Sequence, residues 1–270
     1  HHHLGVSSGS SEKRLWWAVG ANMLLTIAQV VGGIISGSLS LIADALHNFS
    51  DAASLLIALI AVRISRNPPD KFKSFGYKRA ETVAALINLT TLILIGLYLV
   101  IEALKRFYSP EEIEGWTIVY VASLALVVDI FTAVLTYSDS KNSMNIRAAF
   151  LHNVTDALAS VGVILAGTLI LLYQWIWVDA AMTILIAVYV LWLSFREMPK
   201  VIHLLMQGTP EGIEINDVIT AMQGLEGVKG VHHVHIWQLD EQRNALEAHV
   251  VMEDVLQIDD VKYAIKSLLE

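Results

Sequence analysis

The chain has no cysteine, which excludes a disulfide framework and any thiolate metal site and leaves His, Asp and Glu as the strong metal ligands. Charge is scarce as well. Only 16% of the 270 residues are charged, against about 25% in an average soluble domain. Basic residues are the poorer sign, with 18 Lys and Arg against 26 Asp and Glu. The resulting net charge of -8 argues against a nucleic-acid partner, which needs clustered basic surface. The opening stretch HHHLGVSSGSSEKR lacks the apolar core of a signal peptide. Its three histidines read as the remnant of an affinity tag, a natural metal-collecting tail being the lesser reading. No G-x-x-x-x-G-K-[ST] loop is present, so an ATP-driven activity finds no support.

What the chain has instead is apolar length: 55% of its residues are hydrophobic and its mean hydropathy is +0.56. Six segments are long enough for a bilayer core, which takes about 20 helical residues. They run over Leu15–Ile35, Leu39–Ile64, Glu81–Phe107, Trp116–Tyr137, Ile146–Tyr173 and Val178–Phe195. The link between the second and third carries Arg63, Arg66, Lys71, Lys73, Lys78 and Arg79, and that between the fourth and fifth carries Lys141 and Arg147. The links SGS and QWIW hold no basic residue and SPEEIEG is acidic, with Lys105 and Arg106 as exceptions before it. The positive-inside rule therefore puts both termini in the cytoplasm. Trp16, Trp17, Trp116, Trp175 and Trp177 stand at segment ends, where an aromatic belt belongs.

After Gln207 charges become regular. Val231–Leu239 and Ala245–Met252, joined by the polar DEQRN, read as a strand hairpin, with helices over Asn216–Gly224 and Asp259–Leu269. The reading is a tail over 1–14, a six-helix membrane domain over 15–205 and a small cytoplasmic α+β domain over 206–270. The chain stops at Glu270 inside a helical pattern, so a final strand is expected beyond it.

Two polar heptads interrupt the apolar pattern: LHNFSDA at Leu46–Ala52 and LHNVTDA at Leu151–Ala157. Residues four apart share a helix face, so His47 lies with Asp51 and His152 with Asp156. A carboxylate at mid-membrane costs about 2.5–3.5 kcal/mol even on the lenient insertion scale. A divalent cation held by two imidazoles and two carboxylates offsets that cost, and a four-coordinate N2O2 shell suits Zn²⁺. Two separate His–Asp pairs that glue helices together are the bland alternative, though they explain one pair better than a repeated heptad. Read as glycosylation sequons, NFS and NVT would be buried in spans. Hydrolytic zinc chemistry lacks the glutamate of H-E-x-x-H, since Asn48 and Asn153 follow the histidines. Asp44, one turn before His47, reads as a proton-handling or pairing group. Asn22, Gln29, Asn88 and Asp129 read as interhelical hydrogen-bond groups, and Asp179 as a helix cap.

The stretches SGSLSLIADALHNFSDA and NIRAAFLHNVTDALASVG resemble the cation diffusion facilitator family, and the resemblance runs from Arg14 to the end. It implies a polytopic protein with six transmembrane helices and a cytoplasmic C-terminal α+β, ferredoxin-like domain, working as a homodimer in the cell inner membrane. It implies that His47, Asp51, His152 and Asp156 bind the transported ion. Histidine at both first positions resembles the zinc-selective members, as imidazole prefers zinc to harder ions. The activity implied is export of Zn²⁺, with Cd²⁺ or Co²⁺ also open, in exchange for protons, rather than enzymatic turnover. A membrane zinc sensor or scaffold without transport is the alternative.

Some relatives hold a second zinc site between the second and third helices, from an aspartate and two histidines. Here Asp70 is kept, but Lys73 and Tyr77 stand where those histidines would be, so that site is expected to be absent. Relatives also lock their dimer with a lysine–aspartate pair; Arg79 resembles the base, but Gln207 replaces the acid. In the C-terminal domain His232 and His249 match metal-ligating positions of relatives, for a possible regulatory Zn²⁺. Strand alternation puts His233 and His235 on the face opposite His232.

Overall fold

The computed structural model describes residues 9–140, 144–239, 243–254 and 258–269, with side chains left out at 9–19, 21–22, 55, 58–59, 135–136, 138–140 and 144–149. The tail histidines, Lys141 and most of the DEQRN turn therefore lie outside what is described, as do the side chains of Trp16, Trp17, Asn22 and Arg147. Six helices come first: α1 (Gly9–Ser36), α2 (Leu39–Ser65), α3 (Ala80–Tyr108), α4 (Gly115–Ser140), α5 (Met144–Tyr173) and α6 (Trp177–Leu205). Each contains one of the apolar segments read from the sequence. Among the described residues α3, α4, α5 and α6 are long and apolar enough to cross a membrane on hydropathy alone.

Two compact units result: residues 1–57 with 87–197, and 58–86 with 198–270. The core of the first contains Leu41, Ala43, Leu99, Ile118, Ala122, Val163, Ile170, Ile186 and Ala187. Small residues recur in it because, in lipid, helices associate through close backbone approach rather than through hydrophobic exclusion. At Gly33 an added Cβ would sit 2.5 Å from Ile42 Cγ1, so only glycine lets α1 close so tightly on α2. Large apolar side chains such as Leu24, Leu94 and Val134 point outward and are about two-thirds exposed or more, as suits helices whose solvent is lipid. Trp175 stacks 6.1 Å from Trp177 beside the α5–α6 link, and Trp116 5.7 Å from Tyr120, consistent with an interfacial aromatic belt.

The short α1–α2 link is fastened by a carboxylate from α6. Asp179, fully buried, accepts hydrogen bonds from Leu39 N–H (2.8 Å), Ser40 N–H (3.2 Å), Ser38 Oγ (2.5 Å) and Ser40 Oγ (2.6 Å). The sequence reading of Asp179 as a cap is right in kind, but the helix it caps is α2, whose first free N–H groups and positive dipole end it satisfies. The two basic residues that break the charge pattern are locally engaged. Lys105 pairs with Glu102 at 3.0 Å; Arg106 pairs with Glu111 at 3.0 Å and donates to the Gly37 carbonyl.

In the second unit, α7 (Ile215–Gln223), β1 (Val228–Gln238), β2 (Asn244–Met252) and α8 (Ile258–Leu269) form an αββα arrangement. The strands pair antiparallel, and Met222, Val228, Val231 and Val261 form the core between sheet and helices. Gln207 takes a left-handed φ of 59° just past α6. Gln207 thus ends the helix.

Candidate metal centre

The second and fifth helices bring their repeated heptads face to face. His47 Nε2 lies 3.7 Å from Asp51 Oδ2 on its own helix and 3.6 Å from Asp156 Oδ1 across on α5. His152 Nε2 lies 3.0 Å from Asp51 Oδ2 and 3.4 Å from Asp156 Oδ2. The two imidazole centroids are 6.0 Å apart. Each imidazole thus faces one carboxylate of its own helix and one of the other, which two independent helix-gluing pairs would not do.

These separations carry chemical information. A tetrahedron of N and O donors at about 2.0–2.1 Å from zinc has edges of about 3.3–3.4 Å, and the four N···O distances straddle that value. Donor atoms of His47, His152 and Asp156 all lie within 4.8 Å of one another. Asp51 falls outside that tight triplet, yet its Oδ2 lies beside both imidazoles. That oxygen is buried, with His152 Nε2 at 3.0 Å and His47 Nε2 at 3.7 Å as its neighbours. Exposure is graded around the cluster: the Asp156 and His47 side chains are 10% and 12% exposed, Asp51 31% and His152 46%. The site is therefore open on the His152–Asp51 side and closed behind His47.

Behind the quartet lies a second row of polar groups. Asp44, 1% exposed, accepts from Gln29 Nε2 of α1 at 2.6 Å, and Gln29 Oε1 accepts from Asn48 Nδ2 at 3.0 Å. Asp44 is thus partnered toward α1, outside the donor cluster. Asp129 on α4, also buried, accepts from Ser160 of α5 at 3.0 Å, and Asn88 accepts from Ser54 at 2.7 Å. Gln29, Asn88 and Asp129 therefore hold helices together, as their composition led one to expect.

In the C-terminal domain His232 is registered directly opposite His249, and their rings are 5.4 Å apart. Strict alternation would send His233 to the far face, but it does not go there. The ladder shifts between His232 and His235, and His233 takes a left-handed φ of 51°. This irregularity returns its ring to within 5.1 Å of both His232 and His249. Donor atoms of all three histidines lie within 4.8 Å of one another, and His235 stands outside the cluster. Sequence reasoning missed His233 because period-2 alternation assumes an unbroken ladder. The left-handed residue that breaks it is not one of the usual signals, glycine or asparagine.

Between α2 and α3, Tyr77 Oη donates to Asp70 Oδ2 at 2.7 Å. Asp70 is thereby engaged by Tyr77.

Comparisons with known proteins agree with this architecture. The family description "Cation efflux transmembrane domain" matches residues 15–206, and "Cation efflux protein, cytoplasmic domain" matches residues 210–269. The chain is 39% identical over 244 residues to a cadmium, cobalt and zinc/H(+)-K(+) antiporter of Bacillus subtilis (strain 168), covering 90% of this chain and 78% of that protein. It is 38% identical over 248 residues to the zinc transporter ZitB of Yersinia pestis, covering 91% and 80% respectively. It is 35% identical over 243 residues to the metal cation efflux system protein CzcD of Cupriavidus metallidurans, covering 90% and 77%. These relatives are named as transporters, not as enzymes. With both of its parts matched and a cluster of two histidines and two aspartates between α2 and α5 of a multi-pass helical membrane fold, the chain belongs to the cation diffusion facilitator family of cation efflux proteins.

Proposed function

We propose that this protein is a proton-coupled antiporter that exports Zn²⁺ from the cytoplasm by alternating access, with His47, Asp51, His152 and Asp156 as the transport site. The observation that carries the reading is the interlocked set of four N···O distances of 3.0–3.7 Å between α2 and α5. Two carboxylates and two neutral imidazoles cancel the charge of a divalent ion and supply borderline donors that favour Zn²⁺ over harder ions. Protons and the metal compete for the same four side chains, so one site exposed alternately to each side exchanges one for the other. Names of relatives that include antiport with H(+), and transport of zinc, cadmium and cobalt, support the same reading. Asp44, buried one turn from His47 and bonded through Gln29 to α1, is the group we assign to second-row support of the site or to proton handling.

The unit of function in this reading is a homodimer in the inner membrane with both termini cytoplasmic. Residues 15–205 form the transport domain, preceded by a tail over 1–14, and residues 206–270 form the cytoplasmic domain. His232 and His249, joined by His233, form a second zinc-binding cluster with a regulatory role. Uptake of Zn²⁺ into proteoliposomes under an imposed pH gradient tests the whole proposal. Zinc binding by the purified protein without gradient-dependent flux would favour the sensor or scaffold reading instead.

A further inference from the structure

We propose that the segment joining α2 to α3 is a membrane-surface anchor that binds the headgroups of anionic lipids. Over Arg63–Arg79 it carries six basic residues, Arg63, Arg66, Lys71, Lys73, Lys78 and Arg79, against a single acid, Asp70. That acid is exposed but is engaged by the segment's own groups. Its carboxylate accepts from Phe72 N–H and Lys73 N–H, both at 2.8 Å, and from Tyr77 Oη at 2.7 Å. The Tyr77 hydroxyl, with the two backbone N–H groups, holds the Asp70 carboxyl below the usual carboxylate range, and the same bond pushes the Tyr77 phenol up. A further bond from Gly76 N–H to the Lys73 carbonyl at 2.8 Å closes the turn, and Gly76 takes the left-handed φ of 76° that this requires. The segment is thus a preformed turn.

Its outer surface is basic and aromatic. Every residue from Arg66 to Phe75 is exposed. Phe72 and Phe75 are 76% and 71% exposed, an unfavourable placement in water, and Lys71 Nζ stands 4.9 Å from the Phe72 ring centre. Alternating cations and bare phenyl rings suit one environment in particular, the boundary where lipid phosphodiesters meet acyl chains. There the ring is buried and the ammonium group stays among headgroups. Both ends of the segment continue directly into membrane helices, at Ser65 and Ala80, which keeps the turn at that boundary. A soluble acidic partner would account for the lysines but not for the phenyl rings.

The absence of cysteine makes the test clean. In the full-length protein, Ser74→Cys places one fluorophore between Phe72 and Phe75 without altering either, and Glu226→Cys serves as a reporter between α7 and β1. The labelled protein is reconstituted in phosphatidylcholine vesicles containing nitroxide-bearing phosphatidylglycerol or nitroxide-bearing phosphatidylcholine at equal fraction. The phosphatidylglycerol quencher is expected to act more strongly at position 74 and equally weakly at position 226. Lys71→Gln and Lys73→Gln are expected to reduce the lipid preference roughly fivefold each, the effect of about 1 kcal/mol per juxtamembrane charge. The pair Phe72→Ala and Phe75→Ala is expected to reduce quenching by both lipids. Equal quenching by the two lipids at position 74 would overturn the proposal. So would label–label contact at position 74 that persists in lipid-free detergent, which assigns the surface to a second copy, or release of the lipid by inorganic phosphate, which assigns it to a free anion.

Discussion

Removing one carboxylate from the α2–α5 cluster has a calculable cost. Four-ligand structural zinc sites bind with about 10–16 kcal/mol near neutral pH, so one ligand of four accounts for about 3–4 kcal/mol. At 1.4 kcal/mol per decade that is a loss of about 100–1000-fold in affinity. The two aspartates are expected to differ within this range because their side chains differ in exposure, 31% for Asp51 and 10% for Asp156. Water can take the vacated position of Asp51, placing Asp51→Ala near the lower end. At Asp156, walled in by packed helices, no such substitute enters easily, placing Asp156→Ala near the upper end. Competition of the detergent-purified protein with a fluorescent zinc chelator at fixed pH reads these affinities. Zinc flux in proteoliposomes is expected to vanish in both variants while helical content and elution volume stay unchanged. Wild-type zinc affinity in either folded variant would refute the assignment of that residue to the site, and in both would refute the quartet.

Other outcomes follow from the same structure. Replacing His47 or His152 by aspartate exchanges a borderline nitrogen for a hard oxygen, so flux assays with both metals are expected to show Mn²⁺ admitted and the zinc preference weakened. Because protons compete for the donors and an ordinary histidine titrates near pH 6.5, acidifying the zinc-loading side below about pH 6 is expected to slow export, and acidifying the far side to speed it. Flux indifferent to the sign of the gradient, with membrane potential clamped, removes the antiport reading. Asp179→Asn takes a charged acceptor from the start of α2, where a bond to a charged group is worth about 1.5–3 kcal/mol, and a thermal melt in detergent is expected to show the loss. At the α2–α3 turn the signs run opposite ways. The lowered Asp70 contributes stability above the ordinary carboxylate pKa of about 4, lost as pH falls through its folded value. The raised Tyr77 contributes below about 10, lost as pH rises through its folded value. Fluorescence of the Ser74→Cys reporter is therefore expected to stay constant between about pH 5 and 9.

What could be read in advance depended on how local the signal was. The apolar segments and the i, i+4 spacing within each heptad are properties of neighbouring residues, and the helices followed them closely. The quartet was legible because a repeated polar heptad in apolar surroundings asks for a shared partner, although spacing alone could not say that each imidazole would face both carboxylates. The hydrogen-bonding roles of Gln29, Asn88 and Asp129 were legible from composition, but not which groups they would meet, since those come from other helices. Asp179 shows the same limit, for its partners lie some 140 positions away in sequence. His233 escaped for a different reason. Its placement depends on a break in the strand ladder, which period-2 alternation does not signal.

The fastening of Ser38 and Ser40 by Asp179 turns α2 into a lever with a fulcrum. A helix rises 1.5 Å per residue, so Asp51 stands about 16 Å from Ser40 along the axis, and a tilt of about 10° about that end displaces it by about 3 Å. Metal–ligand bonds tolerate only about 0.2 Å. In the transport reading proposed above, a rocking motion too small to disturb the packing near the fulcrum is thus large enough, at the four side chains, to take the α2 donors out of reach of an ion held from α5. In that reading, the grip at one end of the helix and the release of an ion at its middle are two ends of the same arm.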